Sequence, residues 1–119
     1  MPIAACGATK VDDAGLRADI AAGRGGAEVA FHATLITAPQ RFGDHEHLIV
    51  SDPGGDRLEV DYNTSLGPWV PARVGDSMIV QGQLYIDSPT QIGVHCVHAH
   101  TSSGCPFPGF IKLGTQTYQ

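Results

Sequence analysis

The sequence predicts a mainly β domain with one N-terminal helix, on three observations. Helical periodicity occurs once, over residues 11–22 (VDDAGLRADIAA). Five later segments carry the texture of half-buried strands, most of them alternating apolar and polar residues. Fifteen Gly and eight Pro in a chain of 119 residues favour many short elements joined by turns over a few long helices.

In the helix, Leu16 and Ile20 fall at i and i+4. Asp12 and Asp13 sit at the end where negative charge is favourable, and Gly23 is a natural stop before Gly25-Gly26 breaks the chain. Residues 27–36 (AEVAFHATLI) form the first strand, with Val29, Phe31, Ala33 and Leu35 on one side and Glu28, His32 and Thr34 on the other. Residues 45–52 (HEHLIVSD) form the second, Pro53-Gly54-Gly55-Asp56 the hairpin turn, and residues 56–62 (DRLEVDY) the third. Residues 63–76 read as a long loop in which two prolines flank Trp69-Val70 and Val74-Gly75-Asp76 turns into the fourth strand, residues 77–86 (SMIVQGQLYI). Gly82 lies mid-strand, where a barrel bend or bulge is expected. Asp87-Ser88-Pro89 turns the chain into a fifth strand, residues 91–99 (QIGVHCVHA). Five strands after a helix, with a Gly to let one of them coil, fit a five-stranded OB-like antiparallel barrel over residues 27–99, its helix covering an open end. The expected core is Val29, Phe31, Leu35, Ile49, Leu58, Val60, Ile79, Leu84, Ile92 and Val94.

Residues 106–119 carry Phe107, Phe110, Ile111, Leu113 and Tyr118, too much apolar surface for a solvated tail. Prolines and Gly109 rule out a long helix, so this segment is expected to run extended over the strand at residues 95–100. That path brings Cys105 beside the histidines. The division is then a flexible tail over residues 1–10 and a single domain over residues 11–119 that includes the docked C-terminal segment.

Hydrophobic residues make up 42% and charged residues 16%, a globular balance. The formal charge is −5, and the seven Lys and Arg are scattered, so no run of basic groups is available to a phosphate backbone. Nucleic acid is disfavoured as a partner. No apolar stretch approaches the ~20 residues of a membrane helix. The chain as written reads as cytoplasmic. Ile3-Ala4-Ala5-Cys6-Gly7 resembles a lipobox, which would make the protein periplasmic or lipid-anchored if an export signal stood ahead of it.

From Phe42 onward the order of motifs resembles a family of small uncharacterised bacterial domains. The segments that carry the likeness are Gly43-Asp44-His45-Glu46-His47-Leu48-Ile49, Tyr62-Asn63-Thr64-Ser65-Leu66-Gly67-Pro68-Trp69, Gly75-Asp76, His95-Cys96-Val97-His98-Ala99, Pro108-Gly109-Phe110-Ile111 and Tyr118-Gln119. They correspond to the family's G-x-H-Q-R-F-I strand, H-N-x-x-L-A-P-R loop, GD turn, H-W-T-H-H strand and PGGWI…YQ ending, over about two thirds of the chain. The resemblance implies a compact OB-like barrel and brings no assigned reaction. This chain departs by placing Cys96 for Trp, Ala99 for the last His of the pair, and Cys105 near the family's His before Pro-Gly-Gly. A His-to-Cys exchange keeps metal-ligating ability, and His100 stands one step from the lost position.

The chemistry concentrates in one place. His95, Cys96, His98, His100 and Cys105 fall within eleven positions, and His45 and His47 form a pair upstream. Imidazole and thiolate are the ligands that borderline-soft metals prefer, so His45, His95, His98, His100 and Cys105 are the candidate ligands, with Zn²⁺ the candidate ion and His47 or water completing the set. Strand alternation puts His98 and His100 on one face and His95 on the other, so joint chelation requires the strand to bulge or end near Val97. Satisfied or surface histidines are the plainer alternative. Cys96 and Cys105 can instead form a disulfide, and a Cys–His nucleophile lacks any marked oxyanion hole. His47, Tyr62, Asn63 and Trp69 are candidates to contact a small ligand. Trp69, Phe107, Phe110 and Tyr118 form either a stacking platform or a lid on the barrel. Asp44, Asp61, Asp76 and Asp87 are candidates for a hydrolytic acid or base, with turn capping the stronger alternative for Asp76 and Asp87, which sit in turn-forming sequences. The reading favoured is a non-enzymatic module binding a metal or small ligand through the His/Cys cluster. An OB-type nucleic-acid binder using Trp69, Tyr62 and the arginines, and a metal-dependent hydrolase on the same histidines, are the alternatives.

Overall fold

The structure, a computed structural model, describes residues 10–119. The lipobox-like run with Cys6, and all but the last residue of the expected flexible tail, lie outside the described residues. Helix α1 (Asp13–Ala21) is capped by Asp12, whose Oδ1 accepts from the Gly15 amide at 2.9 Å. It ends before Gly23, whose φ of +69° a side-chain-bearing residue would resist. Leu16 is its one buried residue and joins the core. The helix is tied to the first strand by the Asp12 amide on the Ala30 carbonyl and by Asp13 Oδ1 accepting from the His32 amide, both 2.8 Å.

Eight strands follow: β1 (Glu28–Leu35), β2 (Gln40–Phe42), β3 (His45–Ser51), β4 (Arg57–Asn63), β5 (Ser77–Ser88), β6 (Gln91–His95), β7 (Phe110–Leu113) and β8 (Gln116–Tyr118). Five of them close a hydrogen-bonded ring in the order β1-β3-β4-β6-β5, with β5 returning to β1. The expected all-antiparallel pairing is corrected at one seam, because β4 and β6 run parallel. The reason is geometric: directions that alternate around a ring of five strands must repeat once, so one neighbouring pair is parallel.

Three strands were not expected. β2 forms a tight hairpin with β3 through Gly43, and β7 with β8 through Gly114, at φ of +57° and +61°. The fifth expected strand is shorter than residues 91–99, since β6 stops at His95. β5 serves two partners along one edge, β7 at residues 78–81 and β6 from residue 83 on. Gly82 sits at the changeover, where a Cβ would overlap the His95 carbonyl and the Val97 side chain.

Val29, Phe31, Leu35, Leu58, Val60, Leu84 and Val94 are buried in the core with Tyr62, Val70, Val97 and Ile111. Ile49 and Ile79 are corrected: they face outward and are half-buried, while Leu48, Val50, Met78 and Val80 point inward. Leu48-Ile49-Val50 and Met78-Ile79-Val80 are continuous apolar runs in which alternation alone does not choose the inner face. Ile92 is partly buried at the edge of the core. The C-terminal segment lies against β5 through β7, with Ile111 fully buried and Leu113 and Tyr118 packed on the core. Phe107 is corrected, being 51% exposed, so it is not part of that docking surface.

Candidate metal centre

On the outer face of the ring, apart from Ile49 and Ile79, many of the residues that alternate with the core are polar. β3 presents His45 and His47, β4 presents Glu59, Asp61 and Asn63, β5 presents Gln83 and Tyr85, and β6 presents His95. The β3–β4 register sets His47 opposite Asp61, and the turn at Pro53-Gly54-Gly55-Asp56 enforces it through the Asp52 amide on the Asp56 carbonyl. His47, Glu59 and Asp61 each offer one ligand atom, and these lie within 4.8 Å of one another, a spacing one metal ion can span. His47 Nδ1 is 3.7 Å from Glu59 Oε1, and its Nε2 is 3.4 Å from Asp61 Oδ1. The ring is also 5.3 Å from that of Phe42, centroid to centroid.

Tyr85 reaches this cluster from two strands away. Gly93 lies between β4 and β5, paired with both Glu59 and Tyr85, and a Cβ there would overlap the Tyr85 hydroxyl. The bare glycine lets the phenol cross β6 to within 3.1 Å of Glu59 Oε2 and 2.9 Å of Asp61 Oδ2. One hydroxyl proton serves two carboxylates, and Asp61 Oδ1 is buried with no hydrogen-bond partner. Burial first, and then the neighbouring Glu59 carboxylate, push Asp61 up to about 6. Burial and the Asp61 carboxylate push the Tyr85 phenol up as well. Two acids held together with too few protons are a setting that a divalent cation relieves.

Beside this cluster is a cavity of about 390 Å³ that brings together residues the sequence singled out: His45, His47, Asn63, His95, Cys96, His98 and Cys105, with Asp61 as well. β6 ends at His95 because Cys96 takes φ of +60°, which turns the chain so that His95 and His98 both line the cavity. His95 Nε2 lies 2.8 Å from Gln83 Oε1, and its ring meets Tyr85 edge-on at 5.5 Å. Burial, and then His98, hold His95 below the usual imidazole range. His98 is 9% exposed, its Nδ1 2.7 Å from the His100 carbonyl. His45 is half-exposed, its Nε2 3.3 Å from Asp44 Oδ1.

Several expected roles are corrected. The disulfide expected as the alternative for Cys96 and Cys105 is present, Cα to Cα 5.4 Å, so Cys105 leaves the set of expected metal ligands, since a bridged sulfur has no thiolate to give. His100 is exposed and contributes its carbonyl to His98, its side chain standing outside the cavity lining. Tyr62 is fully buried opposite Glu46, facing the core. Trp69 lies under the Arg41 guanidinium at 4.8 Å, away from the cavity. Asn63 does line the cavity, but its Oδ1 already accepts from the Ser65 amide and hydroxyl. Glu59 and Tyr85 escaped the sequence reading. Alternation from Asp61 places Glu59 on the same face, so the hairpin register alone was enough to find it. Tyr85 carries no local signal.

Compared with known proteins, the chain matches no protein-family model and no curated protein. Among the described residues, no helix is long and apolar enough to cross a membrane.

Proposed function

We propose that this protein is a small metal-binding module in which His47, Glu59 and Asp61 hold one divalent ion on the outer face of β3 and β4. The convergence of their three ligand atoms within 4.8 Å carries the reading. One imidazole nitrogen and two carboxylate oxygens suit a first-row divalent ion, with Zn²⁺ the first choice. Tyr85 orients both carboxylates from behind, as outer-shell groups do in metal sites. Within the same proposal the ring is an OB-type barrel, a reading supported by its five-strand closure and single parallel seam, and the motif likeness to the uncharacterised bacterial family belongs with it. Oligonucleotides would meet Glu59 and Asp61 on this face, and phosphates are repelled there, which weighs against nucleic acid as the partner.

The test is Zn²⁺ titration into untagged protein by calorimetry, with metal content measured after dialysis. The expectation is tight binding that Glu59→Gln and Asp61→Asn each weaken at least tenfold, in line with the about 10–100-fold effects seen even for outer-shell partners. Equal binding by wild type and both variants would sink the assignment. Zn²⁺-dependent turnover of activated esters or phosphodiesters, lost in the same variants, would move the reading from binding module to hydrolase.

A further inference from the structure

The cavity beside the His47–Glu59–Asp61 cluster contains two imidazoles that each use one ring nitrogen and leave the other open. A backbone carbonyl can only accept, so the 2.7 Å contact of His98 Nδ1 with the His100 carbonyl puts the proton on Nδ1 and the lone pair on Nε2. Gln83 presents Oε1, also an acceptor, to His95 Nε2 at 2.8 Å, so His95 carries its proton on Nε2 and its lone pair on Nδ1. A metal-ligating histidine has this arrangement: one nitrogen donates to a fixed carbonyl or carboxylate while the other binds the ion. Neither open nitrogen has a hydrogen-bond partner among the described residues, so each is available to an ion entering the cavity. His98 is 9% exposed, and it lines the cavity together with His95.

We infer that His95 Nδ1 and His98 Nε2 hold a second, nitrogen-rich divalent metal ion in this cavity, with water completing its coordination. The ion is of the imidazole-preferring kind, Zn²⁺ or Cu²⁺, in contrast to the carboxylate-rich first site. The disulfide serves this site by position: it closes residues 96–105 into a loop that contains His98 and the His100 carbonyl. The positive φ of Cys96 then brings that loop back onto the His95 side of the strand. The second site does not require the first, although both open on the same cavity.

The test combines metal counting with side-chain NMR on untagged, oxidised protein labelled with ¹⁵N-histidine, using ZnCl₂ as the probe. Without metal, long-range ¹H–¹⁵N spectra should show the Nε2–H tautomer for His95 and the Nδ1–H tautomer for His98. Zn²⁺ should shift His95 Nδ1 and His98 Nε2, and saturation should reach two ions per chain. His98→Gln and His95→Gln should each leave one. Asp61→Asn should also leave one, with the His95 and His98 shifts intact, so failure of the first site is distinguishable from failure of this one. The opposite tautomers, unshifted His95 and His98 signals at saturating Zn²⁺, or an unchanged ion count in a folded His95→Gln or His98→Gln variant would overturn the inference.

Discussion

Replacing Asp61 by Asn should stabilise the metal-free protein and weaken the metal-bound one. Asp61 is pushed up to about 6 from an ordinary 3.8 by burial and by Glu59. The folded state therefore holds a proton that the unfolded state releases between those two values. The sign follows from linkage: stability is greatest below the unfolded value and is lost as pH rises through about 6. At about 1.4 kcal/mol per pH unit the ceiling is ~3 kcal/mol at pH 7. The proton is shared with Glu59, and the Asp61 side chain is 27% exposed, so ~1–2 kcal/mol is the working figure. Asn keeps an acceptor for the Tyr85 hydroxyl and an N–H for Glu59, standing in for the protonated acid. For a chain of this length 1 kcal/mol moves the melting temperature by roughly 4 °C, so a rise of ~4–8 °C is expected. Circular dichroism melts in chelator at pH 7.5 should show this rise, and the difference should shrink as pH falls through about 6 and vanish only below the ordinary value of 3.8. With Zn²⁺ at a hundred times its Kd the wild type gains ~2.7 kcal/mol and the variant little, so the order reverses. A variant less stable than wild type in chelator at pH 7.5 would refute the argument that the two carboxylates are held against their repulsion.

Gly93→Ala should cost ~1–3 kcal/mol, because the new methyl overlaps the Tyr85 hydroxyl and the Glu59 backbone; chemical denaturation should show the loss, and Zn²⁺ affinity should fall with it. Replacing Cys96 and Cys105 by Ser removes a bridge across nine positions, for which loop entropy gives ~2–3 kcal/mol, read as a lower melting temperature in the oxidised protein's buffer. An unchanged melting temperature would mean the loop is held by other contacts. Deleting residues 107–119 removes β7 and β8 and uncovers the β5 edge and the buried Ile111 site, so the melting temperature should drop sharply and rapid amide exchange should spread into residues 78–81.

What the sequence alone determined is what short-range chemistry encodes. Asp12 and Gly23 bracket the helix, since cap and stop are properties of single residues. Strand-like runs bounded by turn residues located all five ring strands, and Pro53-Gly54-Gly55-Asp56 set the hairpin that faces His47 to Asp61. The clustering of His45, His47, His95 and His98 in sequence is matched in space, since all four line one cavity. Tertiary structure decided the rest, because those choices depend on partners far along the chain. Ile49 and Ile79 lie in unbroken apolar runs, so only the packed core chose their outward face. β2, β7 and β8 are too short to carry a period and exist through pairing, β2 with β3, β7 with β5 and β8 with β7. The parallel seam of β4 and β6 appears only on ring closure, and that seam seats Gly93 between Glu59 and Tyr85. A residue whose importance lies in having no side chain leaves no chemical signature of its own, and so only the fold could bring Tyr85 onto the two carboxylates.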